Sequence, residues 1–189
     1  MRKLIACLLG GLMLLTVAVT PVASVEIISD NKVLIDSFYV TDLAALMAST
    51  NNLKAGDTFT IVSTGPGGNA WVATSMMNYI DELEAKGIHV ITETYGLSAS
   101  ANAYVWLAGD DRRVHKNDML MFHLSKMGNN SRMPESEKKL ITNHLDNIFR
   151  QKLLDVVKDT ELVNEMLDDE NNWYTGAEII KLGIAKEIK

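Results

Sequence analysis

Twice in this chain a β-branched run passes into a helical pattern through a glycine-bearing turn, and this repeated join constrains the fold more than any other feature. The first run, Thr58 to Ser63, leads through Thr64-Gly65-Pro66-Gly67-Gly68-Asn69 into a segment whose apolar residues Val72, Met76, Tyr79, Ile80 and Leu83 fall at helical spacing, and Gly87 closes that helix. The second, Ile88 to Thr94, leads through Gly96 and a string of very small residues to Ser100 and a helix over 101–108. Strands joined by helical crossovers run parallel, so their C-terminal ends lie side by side and the turns at 65–68 and 96–100 are expected to share one crevice.

The rest of the chain extends this α/β reading. Val25 to Ile28 and Lys32 to Ile35 read as short strands, and Thr41 as the cap of a helix that carries Leu43, Leu46 and Met47 and ends near Asn51-Asn52. Met119 to His123 reads as a strand, with Gly109 and the charged stretch from Asp110 to Arg113 before it as a connection. Pro134 opens a long helix from Glu135 to about Lys158, with Leu140, Ile141, Leu145, Ile148, Phe149, Leu153, Val156 and Val157 as its buried stripe. Thr175-Gly176-Ala177-Glu178 is a capping box, its helix stops at Gly183, and Ile184 to Ile188 forms a last strand. The expected architecture is a single domain of stacked βα units over residues 25–189.

Residues 1–24 read as a secretory leader. Arg2 and Lys3 supply the cationic start, Leu4 to about Thr20 the apolar run, and Val22-Ala23-Ser24 the small residues of a cleavage site, placed after Ser24. The run is at the short limit of a bilayer span, so membrane attachment is expected only if the leader stays uncleaved. Cys7, the one cysteine, lies inside it, which leaves the mature chain without a disulfide, a thiol nucleophile or a cysteine metal site. The formal net charge is −6, and no basic stripe is interleaved with aromatic residues, which argues against a nucleic-acid partner. Asn129-Asn130-Ser131 is a lone glycosylation sequon.

A Gly-Pro-Gly-Gly turn brings backbone close to a neighbouring group, because glycine has no Cβ to hold it away. The turn lacks the Gly-Lys-Ser/Thr ending of a nucleotide-binding loop, so oxyanion binding is the better reading, and that requires a nucleophile at the end of the next strand. Ser100 stands there, at the start of a helix. A serine hydroxyl needs a base, and of the four histidines His123 alone ends an apolar strand; His89 begins one, His115 falls in a charged loop and His144 on the long helix.

These residues in this order resemble the proteolytic subunit of the Clp protease, ClpP, on the ClpP/crotonase-like fold. Gly65-Pro66-Gly67-Gly68 is similar to the family's Ser-Pro-Gly-Gly turn. Gly96 to Ser100, running on to Ala108-Gly109, is similar to its Gly-x-x-x-Ser turn and small-residue helix, and Met119 to His123 to its apolar strand ending in histidine. The helix from Glu135 resembles the family's handle, and Trp173 to Glu178 with Leu182-Gly183 its C-terminal stretch, so the likeness covers nearly all of the mature chain. The resemblance implies a serine-type endopeptidase with Ser100 as nucleophile, His123 as general base and the N–H groups of Gly68 and Ala101 as oxyanion hole. It also implies peptides or unfolded proteins as substrates, a homo-oligomeric ring, and no metal or cofactor.

The chain departs from the family at two places. The family's third triad residue, an aspartate, falls on Asn171, with Asp168, Asp169 and Glu170 just upstream, and the loop before His123 is about two residues shorter. The leader is the other departure. An exported subunit has neither ATP nor an unfoldase beside it, which implies ATP-independent cleavage, in a periplasmic or secreted location. Three alternatives share parts of this pattern. They are a catalytically weak or dead ClpP-like scaffold, a crotonase-like acyl-CoA enzyme with the same paired donors, and a Ser-Lys dyad in which Lys116 or Lys126 replaces the histidine.

Overall fold

The computed structural model describes residues 25–127, 132–168 and 171–189. The leader over 1–24 and the sequon at Asn129 lie outside the described residues, as do Asp169 and Glu170.

In chain order the elements are β1 (Val25–Ser29), β2 (Lys32–Ile35), α1 (Val40–Ser49), β3 (Thr58–Ser63), α2 (Ala70–Ala85), β4 (His89–Glu93), β5 (Leu97–Ala99), α3 (Ala101–Ala108), β6 (Asp111–Val114) and β7 (Met119–Phe122), followed by α4 (Glu135–Val157), α5 (Thr160–Met166), β8 (Asn172–Thr175), α6 (Gly176–Lys181) and β9 (Lys186–Glu187). The fold is mixed α/β. One sheet has the order β1-β2-β3-β4-β6-β9 and the other β5-β7-β8. In the larger sheet β1 runs antiparallel to β2 and every other pair is parallel; in the smaller, β5–β7 is parallel and β7–β8 antiparallel. A bridge between Gly65 and Ser98 ties the first glycine turn to the small sheet.

Helix α3 holds the two sheets in relation to each other. All eight of its residues are buried, Trp106 and Leu107 completely, and it packs on β3, β4, β5, β7, α2 and α4. Its small residues, Ala101, Ala103 and Ala108, let strands and helices approach it closely from every side. The end of this rod carries Ser100, so the serine's position is fixed by the core rather than by a loop.

Several local expectations are corrected. The helix expected after Thr41 begins at Val40, because the Asp42 carboxylate accepts the Tyr39 N–H and closes the first turn one residue earlier. Asp111 to Val114 is strand β6 rather than a connection. Its charges are held at the sheet by Asp111 Oδ2 against Arg113 (2.9 Å), by Lys186 against Asp111 (3.0 Å), and by Arg112 Nε donating to the Ile184 carbonyl (3.0 Å). The small-residue run contains β5, and α5 and β8 are additional elements.

In α4 only Leu145, Phe149 and Leu153 of the expected stripe are fully buried; Ile141, Ile148, Val156 and Val157 are half-buried, and Leu140 is 71% exposed. Toward the N-terminus of that helix Leu140 faces solvent, while Ile141 packs against the core. No helix among the described residues is long and apolar enough to cross a membrane.

Candidate active site

The site forms where β5 lies parallel to β7. Their register pairs Ala99 with Met121, and the Ser100 N–H donates to the Met121 carbonyl at 2.9 Å, so the residue after β5 is stitched beside the end of β7. The incoming turn is pinned by Asp118, whose Oδ1 accepts the Gly96 N–H (2.7 Å) and whose Oδ2 accepts the His115 N–H (2.9 Å).

Ser100 is the N-cap of α3, yet its side chain caps nothing, and its backbone has φ 55° and ψ −124°. A positive φ is unfavourable for a residue with a Cβ, by about 1–3 kcal/mol in sparsely populated regions, and Lys158 is the other non-glycine to show it among the described residues. This backbone turns the hydroxyl away from the helix end and toward His123. Ser100 Oγ and His123 Nε2 are 2.7 Å apart.

His123 Nδ1 lies 2.6 Å from the Leu124 carbonyl oxygen. A carbonyl can only accept, so Nδ1 carries the proton and Nε2 presents its lone pair to the serine. Burial holds the imidazole below its ordinary pKa, and the charge of Lys126 pushes the same way, while the Leu124 carbonyl and Asp146 oppose it. The neutral base is therefore the favoured form near neutrality. Two contacts fix the main chain from His123 to Ser125. Tyr104, buried and stacked on Phe149 with ring centroids 3.9 Å apart, donates its hydroxyl to the His123 carbonyl at 2.9 Å, and Asp146 Oδ1 accepts the Ser125 N–H at 2.6 Å. Burial raises the Tyr104 hydroxyl far above its ordinary pKa, so it stays a donor.

The first glycine turn lies directly against the serine. A Cβ on Gly67 would stand 2.6 Å from Ser100 Cβ and 2.8 Å from the Ala99 carbonyl oxygen, and its φ of +97° favours glycine independently. The turn is held by Asn102, a completely buried amide. Its Oδ1 accepts the Gly67 N–H (2.9 Å), and its Nδ2 faces the carbonyls of Ile35 (3.1 Å) and Thr64 (3.2 Å) and Ser63 Oγ (3.2 Å). Gly68 and Ala101 line the same cleft, and neither backbone N–H makes a hydrogen bond among the described residues. The cleft has a volume of about 290 Å³, and Trp71, Tyr104, Leu145 and Phe149 form its apolar wall beside Ser100 and His123.

Asn171 is not brought to the histidine. The β7–β8 register pairs Phe122 with Asn172, so the chain at 171 passes near the end of β7, but Asn171 is exposed and makes no hydrogen bond with His123 among the described residues. Asp168 is also exposed and accepts from Asn172 Nδ2 at 2.8 Å. Lys116 is paired with Glu187 at 3.0 Å, away from the cleft, whereas Lys126 lines it. His115 sits 3.3 Å from Asp118, His89 3.8 Å from Asp110, and His144 beside Trp71.

The supports Asn102, Tyr104, Asp118 and Asp146 were not legible as site residues. Asn102 alone carried a signal, as a polar residue inside an otherwise apolar helix. The described residues contain no group of three or more His, Cys, Asp or Glu side chains suited to a metal ion. No family model matches the chain, and no curated protein matches it at a significant level.

Proposed function

We propose that the chain is an exported serine-type endopeptidase of the ClpP-like kind, with the stacked βα architecture of that family, cleaving peptides or unfolded proteins without an ATPase partner. The observation that carries this reading is the 2.7 Å approach of Ser100 Oγ to the unprotonated Nε2 of His123, beside two unengaged N–H groups.

In the proposed reaction Ser100 Oγ attacks the peptide carbonyl carbon as its proton passes to His123 Nε2. The N–H groups of Gly68 and Ala101 receive the oxyanion of the tetrahedral intermediate. Collapse breaks the C–N bond, with the amine leaving on the proton returned by His123. Water then enters, gives its proton to the same nitrogen and hydrolyses the acyl-serine, restoring the hydroxyl. The Leu124 carbonyl fixes the tautomer throughout. As a neutral group it stabilises imidazolium less than a carboxylate does; in an aspartate-dependent triad, exchanging aspartate for asparagine costs about ten-thousand-fold in kcat. Turnover is therefore expected to be slow. The mature chain assembles into a ring through the exposed part of α4.

A fluorophosphonate probe tests the reading. Labelling of the wild-type protein at Ser100, abolished in Ser100→Ala and strongly slowed in His123→Ala, is expected. Absence of labelling, or labelling that survives Ser100→Ala, overturns it. Asn171→Ala is expected to label at the wild-type rate, because the ring is oriented by the Leu124 carbonyl. The neutral partner on Nδ1 also favours one second reading, a ClpP-like scaffold with no turnover, which assembly without labelling would support.

A further inference from the structure

The cleft beside Ser100 is chemically lopsided. Its described lining contains one permanently charged side chain, Lys126, and no carboxylate, in a chain whose formal net charge is −6. Lys126 is exposed and has no ion-pair partner among the described residues; other surface lysines share that, but Lys126 alone among them lines this cleft. The four residues between Met127 and Arg132 bring no charge by sequence. Next to Lys126, Ser125 lines the same cleft with a buried hydroxyl that has no hydrogen-bond partner, while its N–H is held by Asp146. Ser125 and Lys126, one and two residues past Leu124, thus bring an unsatisfied hydroxyl and an ammonium group without an ion pair to the lining of one cleft that also carries an apolar wall.

We infer that Lys126, assisted by the Ser125 hydroxyl, is a specificity-determining residue that receives a substrate carboxylate next to the scissile bond. This rests on the peptidase reading of the site. The position of the charge is consistent with its electrostatic reach to His123, on which it acts in the direction of a nearby cation. A bound carboxylate would satisfy the ammonium by charge, and the hydroxyl by donation once the Ser125 side chain turns toward it. Because Lys126 is solvated, its contribution is modest and salt-dependent, which makes it a selector among peptides rather than a source of tight binding. The carboxylate can come from an internal Asp or Glu side chain or from a free C-terminus.

The test uses peptide pairs that differ by Glu against Gln at each position flanking the cleaved bond, each made as free acid and as amide. Binding is measured on Ser100→Ala by fluorescence anisotropy, so no turnover is needed, and kcat/KM is measured on the wild-type enzyme. The expected result is a preference of about fivefold for the carboxylate form at low salt, shrinking at high salt. Lys126→Met on the Ser100→Ala background brings the ratio to about one, Lys126→Glu reverses it and Lys126→Arg retains it. A preference that follows Glu identifies an internal side chain, and one that follows free acid over amide identifies the terminus. Equal binding of all forms by Ser100→Ala, or a preference that persists in Lys126→Met, overturns the inference. Probe labelling at Ser100 reports separately on the peptidase reading, so a discriminating but unlabelled protein would sink that reading and with it the place of Lys126 beside a scissile bond, and a labelled but undiscriminating one would sink only the role of Lys126.

Discussion

The hydroxyl of Ser100 and the imidazole of His123 meet because each is held by backbone bonds, and the state of the imidazole decides what the pair can do. With its pKa held down by burial and by Lys126, His123 keeps its lone pair to lower pH than a solvated histidine. The acid limb of kcat/KM, or of the Ser100 labelling rate, is expected below pH 6.5, with the His123 ring titrating at the same midpoint by NMR; a midpoint above 6.5 would contradict the burial argument. The same shift bears on stability. The unfolded chain takes up its proton first, so this contribution is complete above the unfolded pKa and is lost as pH falls toward the folded one.

Gly67 and Asn102 provide a second residue-scale prediction. Gly67→Ala forces a Cβ against Ser100 in a backbone conformation that alanine disfavours, and Asn102→Ala removes the acceptor of the Gly67 N–H and a donor to the Ile35 and Thr64 carbonyls. Each is expected to cost about 1–3 kcal/mol in denaturant unfolding. Both should slow Ser100 labelling at least tenfold in protein that remains folded, since the turn they hold borders the serine. An unchanged labelling rate would remove the turn from the site.

At the scale of elements, α4 divides into two parts. Leu145, Phe149 and Leu153, spaced at i, i+4 and i+8, face the core, and Phe149 stacks on the tyrosine that holds the His123 main chain. Phe149→Ala is expected to cost about 3–5 kcal/mol and to slow labelling as Tyr104 loses its support. Leu140→Ser, at a side chain already in solvent, should leave the stability of a single subunit within about 0.5 kcal/mol. Denaturant melts of the two variants at low protein concentration check the contrast. Helical spacing identifies which residues share a face, but not how far along the helix a partner surface extends, and so Leu140 was read as core. The reading of Asp110 to Arg113 as a connection missed strand β6 for a related reason. Charge content reports solvation, whereas here the arginines and lysine pair with Asp111 and backbone across β6 and its neighbour β9, which a local pattern does not reveal.

For the whole molecule, the proposal of an exported ring makes two measurable statements. Intact mass of protein purified from an exporting host is expected to begin at Val25, the first residue of β1; retention of residues 1–24 would tie the protein to a membrane instead. Light scattering is expected to show an oligomer that Leu140→Ser weakens, because an exposed leucine on an uncovered helix is the kind of contact that assembly would bury. A monomer at all concentrations would contradict the ring.

The sequence by itself determined the α/β class, since β-branched runs joined to amphipathic helices through glycine turns can bury their apolar faces only in layered packing. It also marked Ser100 and His123 as strand-end residues, because strand ends and glycine turns are local signals. The tertiary structure alone decided the rest. Whether Nδ1 of His123 meets Asn171 or the Leu124 carbonyl depends on where β7 stops pairing with β8. Whether Asn102 clamps the glycine turn depends on α3 passing beneath residues distant in the chain. The Asn102 contacts join segments far apart in the sequence, a separation that erases any periodic trace, and the His123–Leu124 contact, though between neighbours in sequence, depends on the ring rotamer that the surrounding core selects.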